Sequence, residues 1–110
     1  MPYDEALAQR IRDLAAGTPK LTEKKMFGGL AFLVGGNMAI AASGQGGILV
    51  RVAPEQSSAL VAKTSAAVMV MRGRPMEGWL RVASEDVRTK QSLGAWVKRG
   101  TSYAASLPAK

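Results

Sequence analysis

The chain has 110 residues, of which 47% are hydrophobic and 21% are charged, a composition typical of globular domains. This length predicts a single domain over residues 1–110 that buries one core. The chain contains no cysteine and no histidine. It therefore lacks disulfides, thiolate nucleophiles and metal sites built on thiolate or imidazole, and we expect neither a metal nor a cofactor.

The net charge of +7 is unevenly distributed. The first 55 residues carry six basic and five acidic side chains, whereas the last 55 carry nine basic and three acidic. A basic half fits an anionic partner such as nucleic acid or an acidic protein, but a solvated surface that keeps the protein soluble has the same pattern. The first residues carry acidic side chains and no apolar run, so we expect no secretory signal there. No apolar stretch approaches the roughly 20 residues that span a bilayer. We expect a cytoplasmic protein with no membrane partner.

The first half predicts one helix followed by a run of strands. Asp4 precedes apolar residues at Leu7, Ile11 and Leu14, a spacing that predicts an amphipathic helix capped by Asp4. Gly17 provides a left-handed C-terminal residue. Strand patterns then cover residues 22–26, 30–34, 38–43 and 48–52. Their short, glycine-rich connections predict an antiparallel meander.

The second half predicts a helix, two strands and a last helix. Pro54 suits the first turn of a short helix, and strands are predicted at residues 67–71 and 78–83 around a turn at Gly73-Arg74-Pro75. Ser84 is predicted to cap a final helix that runs to about Ser106. The resulting order predicts an α+β domain, with helices packed on an antiparallel sheet.

The sequence offers little equipment for catalysis. Five of the eight acidic residues lie at predicted helix starts, where capping or the helix dipole explains them. The glycine-rich segments match neither a P-loop nor a dinucleotide-binding fingerprint. We therefore predict a protein that is not an enzyme.

Two segments have the composition of a binding surface. In residues 23–29, adjacent lysines precede Met-Phe, as at many interfaces, although an edge strand guarded by lysines has the same pattern. In residues 72–79, two arginines, a methionine and a tryptophan resemble a binding hot spot. Core packing of the apolar side chains beside solvated arginines is the alternative there. The predicted partner-binding residues are Lys24, Lys25, Met26, Phe27, Arg51, Arg72, Arg74, Met76 and Trp79.

These segments carry a resemblance to a known family. The run from Thr22 to Phe32, with Met26-Phe27-Gly28-Gly29 at its centre, resembles the hallmark of the TfoX N-terminal domain family. The similarity continues at Gly36-Asn37-Met38, Arg51-Val52, Gly73-Arg74-Pro75-Met76, Gly78-Trp79, Trp96 and residues 103–108.

The resemblance implies a two-layer fold in the order α-β-β-β-α-β-β-α, with about five strands and no agreed catalytic residues. Larger family members regulate bacterial competence together with the transcription machinery, whereas this chain resembles a single-domain member. We expect a regulatory domain that binds an unidentified protein in transcription-related regulation, and a homodimer is a further expected form. The alternative is direct nucleic-acid binding through the basic C-terminal half.

Overall fold

The computed structural model describes residues 3–26 and 28–109. The helices are α1 (Glu5–Ala15), α2 (Ser57–Lys63) and α3 (Lys90–Ser106), and the strands are β1 (Leu21–Met26), β2 (Gly29–Val34), β3 (Asn37–Ala42), β4 (Ile48–Arg51), β5 (Ala67–Met71) and β6 (Arg74–Val82). Two 3-10 segments, Pro54–Gln56 and Ser84–Val87, precede α2 and α3.

Helix α1 forms where the hydrophobic spacing predicts it. The Asp4 side chain accepts a hydrogen bond of 3.1 Å from the backbone N–H of Leu7, which caps the first turn. Leu7 and Ile11 are buried on the core-facing side. Gly17 then takes a φ of +88°, as the sequence predicts, and the chain leaves the helix.

The six strands form one antiparallel sheet in the spatial order β1-β2-β3-β4-β6-β5. The first four strands follow one another as a meander. After β4 the chain passes through α2 to the far edge, forms β5, and returns as β6 beside β4. Strands β1 and β5 are therefore the two edges.

The sheet has two unlike faces. On one face all three helices contribute to the main core, in which Phe32, Ile40, Leu80 and Leu93 are fully buried. On the other face lies a smaller cluster made entirely of strand residues: Ala31, Met38, Ala41 and Leu49, with Met26, Leu33, Met69 and Trp79 packed around them. We call this second side the open face.

The predicted α+β class is confirmed, with three differences in detail. The sheet has six strands, the number that the strand patterns predict, whereas the resemblance implies about five; residues 21–26 form the additional edge strand. The turn of the last hairpin lies at Arg72 and Gly73, whose φ values are 54° and 77°, so Arg74 and Pro75 already belong to β6. The N-cap of α3 is Thr89, whose side chain accepts from the N–H of Ser92.

The prediction that Ser84 caps the last helix is wrong. Its hydroxyl instead accepts a hydrogen bond of 2.9 Å from the N–H of Gly47, in the loop between β3 and β4. Within the described part of the chain, the helices are too short or too polar to cross a lipid bilayer.

Candidate functional site: a methionine-lined hollow on the open face

A cavity of about 300 Å³ lies on the open face, and we call it the hollow. Every strand of the sheet contributes at least one residue to its wall. A flat sheet of six strands would separate its edges by about 24 Å, since neighbouring strands lie about 4.8 Å apart. Met26 of β1 and Met69 of β5 line the same small cavity, so the sheet must curl around it.

Small side chains at the floor give the hollow its depth. Ala31 of β2 lies directly opposite Ala41 of β3, and Ala41 lies opposite Leu49 of β4. An alanine pair leaves space that larger cross-strand partners would fill. The surrounding wall is apolar and rich in flexible side chains, from Met26, Met38, Met69 and Met71. Methionine adapts its shape to irregular partners, which suits a surface that must accommodate another molecule.

Two arginines supply the charge of the hollow. Arg81, on β6, is half-buried, and its Nη1 donates to the Ser43 hydroxyl at 3.2 Å. Arg72 reaches the wall from the β5–β6 turn. The lining contains no aspartate or glutamate, and within the described residues the one ion pair joins Arg12 to Glu23, away from this site. The hollow therefore combines an apolar interior with positive charge that no neighbouring carboxylate neutralises.

The structure brings only part of the predicted binding set to the hollow. Met26 and Arg72, from the two predicted segments, both line it. Lys24 and Lys25 are exposed along the edge strand β1. Arg74 and Met76 border a separate depression beside Met71.

Arg51 and Trp79 form a stack outside the hollow. The guanidinium carbon of Arg51 lies 5.0 Å from the centroid of the Trp79 ring and 5.7 Å from that of Tyr103, within the range of cation–π attraction. Trp79 also packs against the open-face cluster. Packing at the edge of the core is one of the two interpretations that the sequence offers for Trp79. The predicted contact at Phe27 lies outside the described residues.

Several wall residues were not singled out from the sequence. Arg81 lies in the C-terminal part of β6, where buried and half-buried residues alternate, and its sequence neighbours give no sign of a site. Ala31 and Ala41 read simply as strand residues. The available signal was the difference in size between neighbouring residues. The small Ala31 and Ala41 lie on the open face, and the large Phe32 and Ile40 beside them lie on the other face.

The described residues contain no group of three or more metal-ligating side chains placed to hold an ion. The described residues do form a curved sheet with one apolar face on which no helix residue packs. The architecture is that of a two-layer α+β domain. The family model of the TfoX N-terminal domain matches residues 13–104, and the chain belongs to this family. No curated protein matches the chain.

Proposed function

We propose that this domain is a non-catalytic interaction module with a regulatory role in a transcription-related process, and that it binds a protein partner through the open face. The observation that carries the proposal is the hollow. It is a largely apolar cavity of about 300 Å³, at the lower end of the range for ligand pockets, and its lining holds two arginines and no acidic residue. Membership of the TfoX N-terminal domain family supports the regulatory role.

The chemistry of the wall favours a partner segment that presents apolar side chains next to carboxylates. Methionine and leucine would cover the apolar groups, and Arg72 and Arg81 would receive the carboxylates. Arginine binds carboxylate through two parallel hydrogen bonds, which orients the partner as well as attracting it. The missing histidine and cysteine support a non-catalytic role, because the most common general base and the thiol nucleophile are both absent.

The test begins with capture of partners from the native cell, with and without nuclease, followed by reconstitution of binding from purified components. Ala41→Leu fills the floor of the hollow, and we expect it to weaken partner binding at least about tenfold. Ala105→Leu, on the exposed side of α3, adds the same atoms elsewhere and should leave binding unchanged.

A charge-matched pair tests the arginine. Arg81→Gln removes the charge from the hollow, whereas Arg88→Gln removes the same charge from an exposed position outside it. Only the first should weaken binding. A partner whose affinity is unchanged by both Ala41→Leu and Arg81→Gln would refute the open face as the binding surface.

The alternative of direct nucleic-acid binding rests on the nine basic residues of the second half. In the structure the exposed ones are spread over α2, the β5–β6 hairpin, the segment before α3, and α3 itself. A partner that disappears on nuclease treatment, and an affinity for DNA or RNA that falls steeply with salt, would favour this alternative over the protein partner.

A further inference from the structure

Strand β5 is an edge strand without protection. Its sequence, Ala-Val-Met-Val-Met, carries no charge and no proline. Val70 is 61% exposed and Met71 is 38% exposed, and they are the large hydrophobic residues that stand out on the described surface. An edge strand of this kind presents unpaired backbone N–H and C=O groups beside apolar side chains, which is a template for a further strand.

The opposite edge of the sheet carries the charged side chains that β5 lacks. Strand β1 exposes Glu23, Lys24 and Lys25 in succession, and charged side chains discourage pairing. No bulge protects β5 either. The irregularity of the last hairpin lies in β6, since Val68 pairs with Leu80 and Met69 with Met76, which leaves the extra residues on the β6 side.

We propose that β5 is the interface between two copies of this chain, which pair antiparallel through it and join their sheets. The pairing uses the outer backbone edge of β5, although Met69, Val70 and Met71 also contribute to the wall of the hollow. The inference stands whether or not the proposed partner binding is correct. A two-fold axis perpendicular to the joined sheets keeps equivalent faces on the same side. The axis must then pass between the same residue of the two copies. All five residues of β5 find a partner only when that residue is Met69, the centre of the strand.

The side chains of β5 complement themselves in this register. Met69 lies opposite the partner copy's equivalent residue, and Val68 lies opposite Val70 of the other chain. The large Met71 lies opposite the small Ala67. Beyond the strand, Arg72 would lie opposite Ala66, so no like charges face each other at the point of contact. Within the single chain Val70 lies opposite Pro75 of β6, and in the dimer this exposed residue would gain a second cross-strand neighbour on its outer side.

The mass of the purified chain in sedimentation velocity tests the association. The wild type should approach twice the monomer mass of 11.6 kDa as concentration rises. Val70→Lys places two charges against apolar partners in each dimer, and we expect it to raise the dissociation constant about a hundredfold. Thr22→Lys, on the exposed edge β1, is the matched control and should leave the dissociation constant unchanged.

The absence of cysteine allows a direct test of the register. Under mild oxidation Met69→Cys should form a disulfide-linked dimer, since opposed residues of antiparallel strands lie about 4.5–5.5 Å apart at Cα. Ala67→Cys should not cross-link, because its two copies would lie about 13 Å apart along the strand. Lys24→Cys reports on the other edge and should also stay unlinked.

A wild-type chain that keeps the monomer mass at its highest soluble concentration overturns the proposal. Preferential cross-linking of Lys24→Cys overturns it as well, because it places the contact at β1. Should Val70→Lys fail to fold, the three cysteine variants decide between the two edges without it.

Discussion

The hydroxyl of Ser57 is fully buried and accepts a hydrogen bond of 2.6 Å from the N–H of Gly78. This bond fastens the start of α2 to the middle of β6. We expect Ser57→Ala to destabilise the fold by about 1–3 kcal/mol, because it leaves a buried N–H without an acceptor. Ser58→Ala, at the exposed neighbouring position, should change stability by less than about 0.5 kcal/mol. Urea denaturation of the two variants checks the difference, and equal midpoints would contradict it.

A second residue-scale device joins α1 to the edge strand. Arg12 donates to Glu23 in a two-pronged ion pair, with Nε 2.6 Å from Oε2 and Nη2 2.8 Å from Oε1. The hydrogen bond from Arg12 lowers the pKa of Glu23 below its ordinary value of 4.5. A carboxyl whose pKa is lower in the folded state stabilises the fold above the unfolded pKa. That contribution disappears as pH falls through the folded value.

We therefore expect Glu23→Gln to reduce stability at neutral pH and to flatten the fall in stability below about pH 4.5. The effect should be small, because both side chains are about one-third or more exposed to solvent. Glu55→Gln, at an exposed position in the 3-10 segment before α2, is the control. Thermal melts of the three proteins from pH 7 to pH 3 measure the slopes. A wild-type slope that Glu23→Gln leaves unchanged would rule out this linkage.

At the scale of elements, α3 is held against the sheet by close backbone contact. Strand β3 has one extra residue, Ala39, where the register with β2 shifts. Its carbonyl oxygen lies next to Gly100 of α3, and a Cβ at Gly100 would clash with that oxygen. The bulge therefore requires a glycine at this position of α3, because any larger residue would prevent the helix from packing this closely on the sheet.

Two glycine-to-alanine substitutions in α3 should change the stability of the fold in opposite directions. Gly100→Ala must push the helix from the sheet, and we expect a loss of about 2–3 kcal/mol. At Gly94 a Cβ would meet only the Leu14 side chain, at 3.8 Å, which is ordinary contact. Gly94→Ala should therefore stabilise the fold by up to about 1 kcal/mol through helix propensity alone. Denaturation midpoints that move in the same direction for both variants would refute this account of α3.

Elements whose signals are local were predictable from the sequence. Asp4 and Gly17 bound α1 because capping and positive φ depend on one or two residues. Ser84 was mispredicted because a serine before acidic residues resembles a helix cap, while its actual partner, Gly47, is 37 residues away. The Ala39 bulge and the added length of β6 depend on pairing with other strands in the same way. No local pattern contains that information.

At the scale of the whole molecule, the candidate site follows from how the sheet curls rather than from any motif. Met26 and Arg72 belong to segments with a binding composition, yet nothing in the sequence shows that opposite edges share one cavity. Arg81 becomes a candidate only once β6 is known to lie beside β4, with Ser43 next to it. Side-chain composition predicted some of the chemistry of the surface, and the strand order supplied its location.

The net charge of +7 leads to a prediction for the molecule as a whole. The domain measures 32 × 31 × 28 Å, so at about 0.01 M salt, where the Debye length is about 30 Å, nearly all its charges interact. At about 0.15 M the length falls to about 8 Å, and only neighbouring charges do. Because basic residues outnumber acidic ones by 15 to 8, long-range interactions are repulsive on balance.

Raising sodium chloride from about 0.01 to 0.15 M should therefore increase the Tm by about 2–4 °C. The Tm should be measured at a protein concentration where the mass of the protein in solution is the same at every salt concentration. Replacing both Arg72 and Arg74 by glutamine lowers the net charge by two at exposed positions and should reduce the increment. A Tm that falls with salt would mean that favourable pairs such as Arg12–Glu23 outweigh the repulsion. The excess positive charge would then not destabilise the fold.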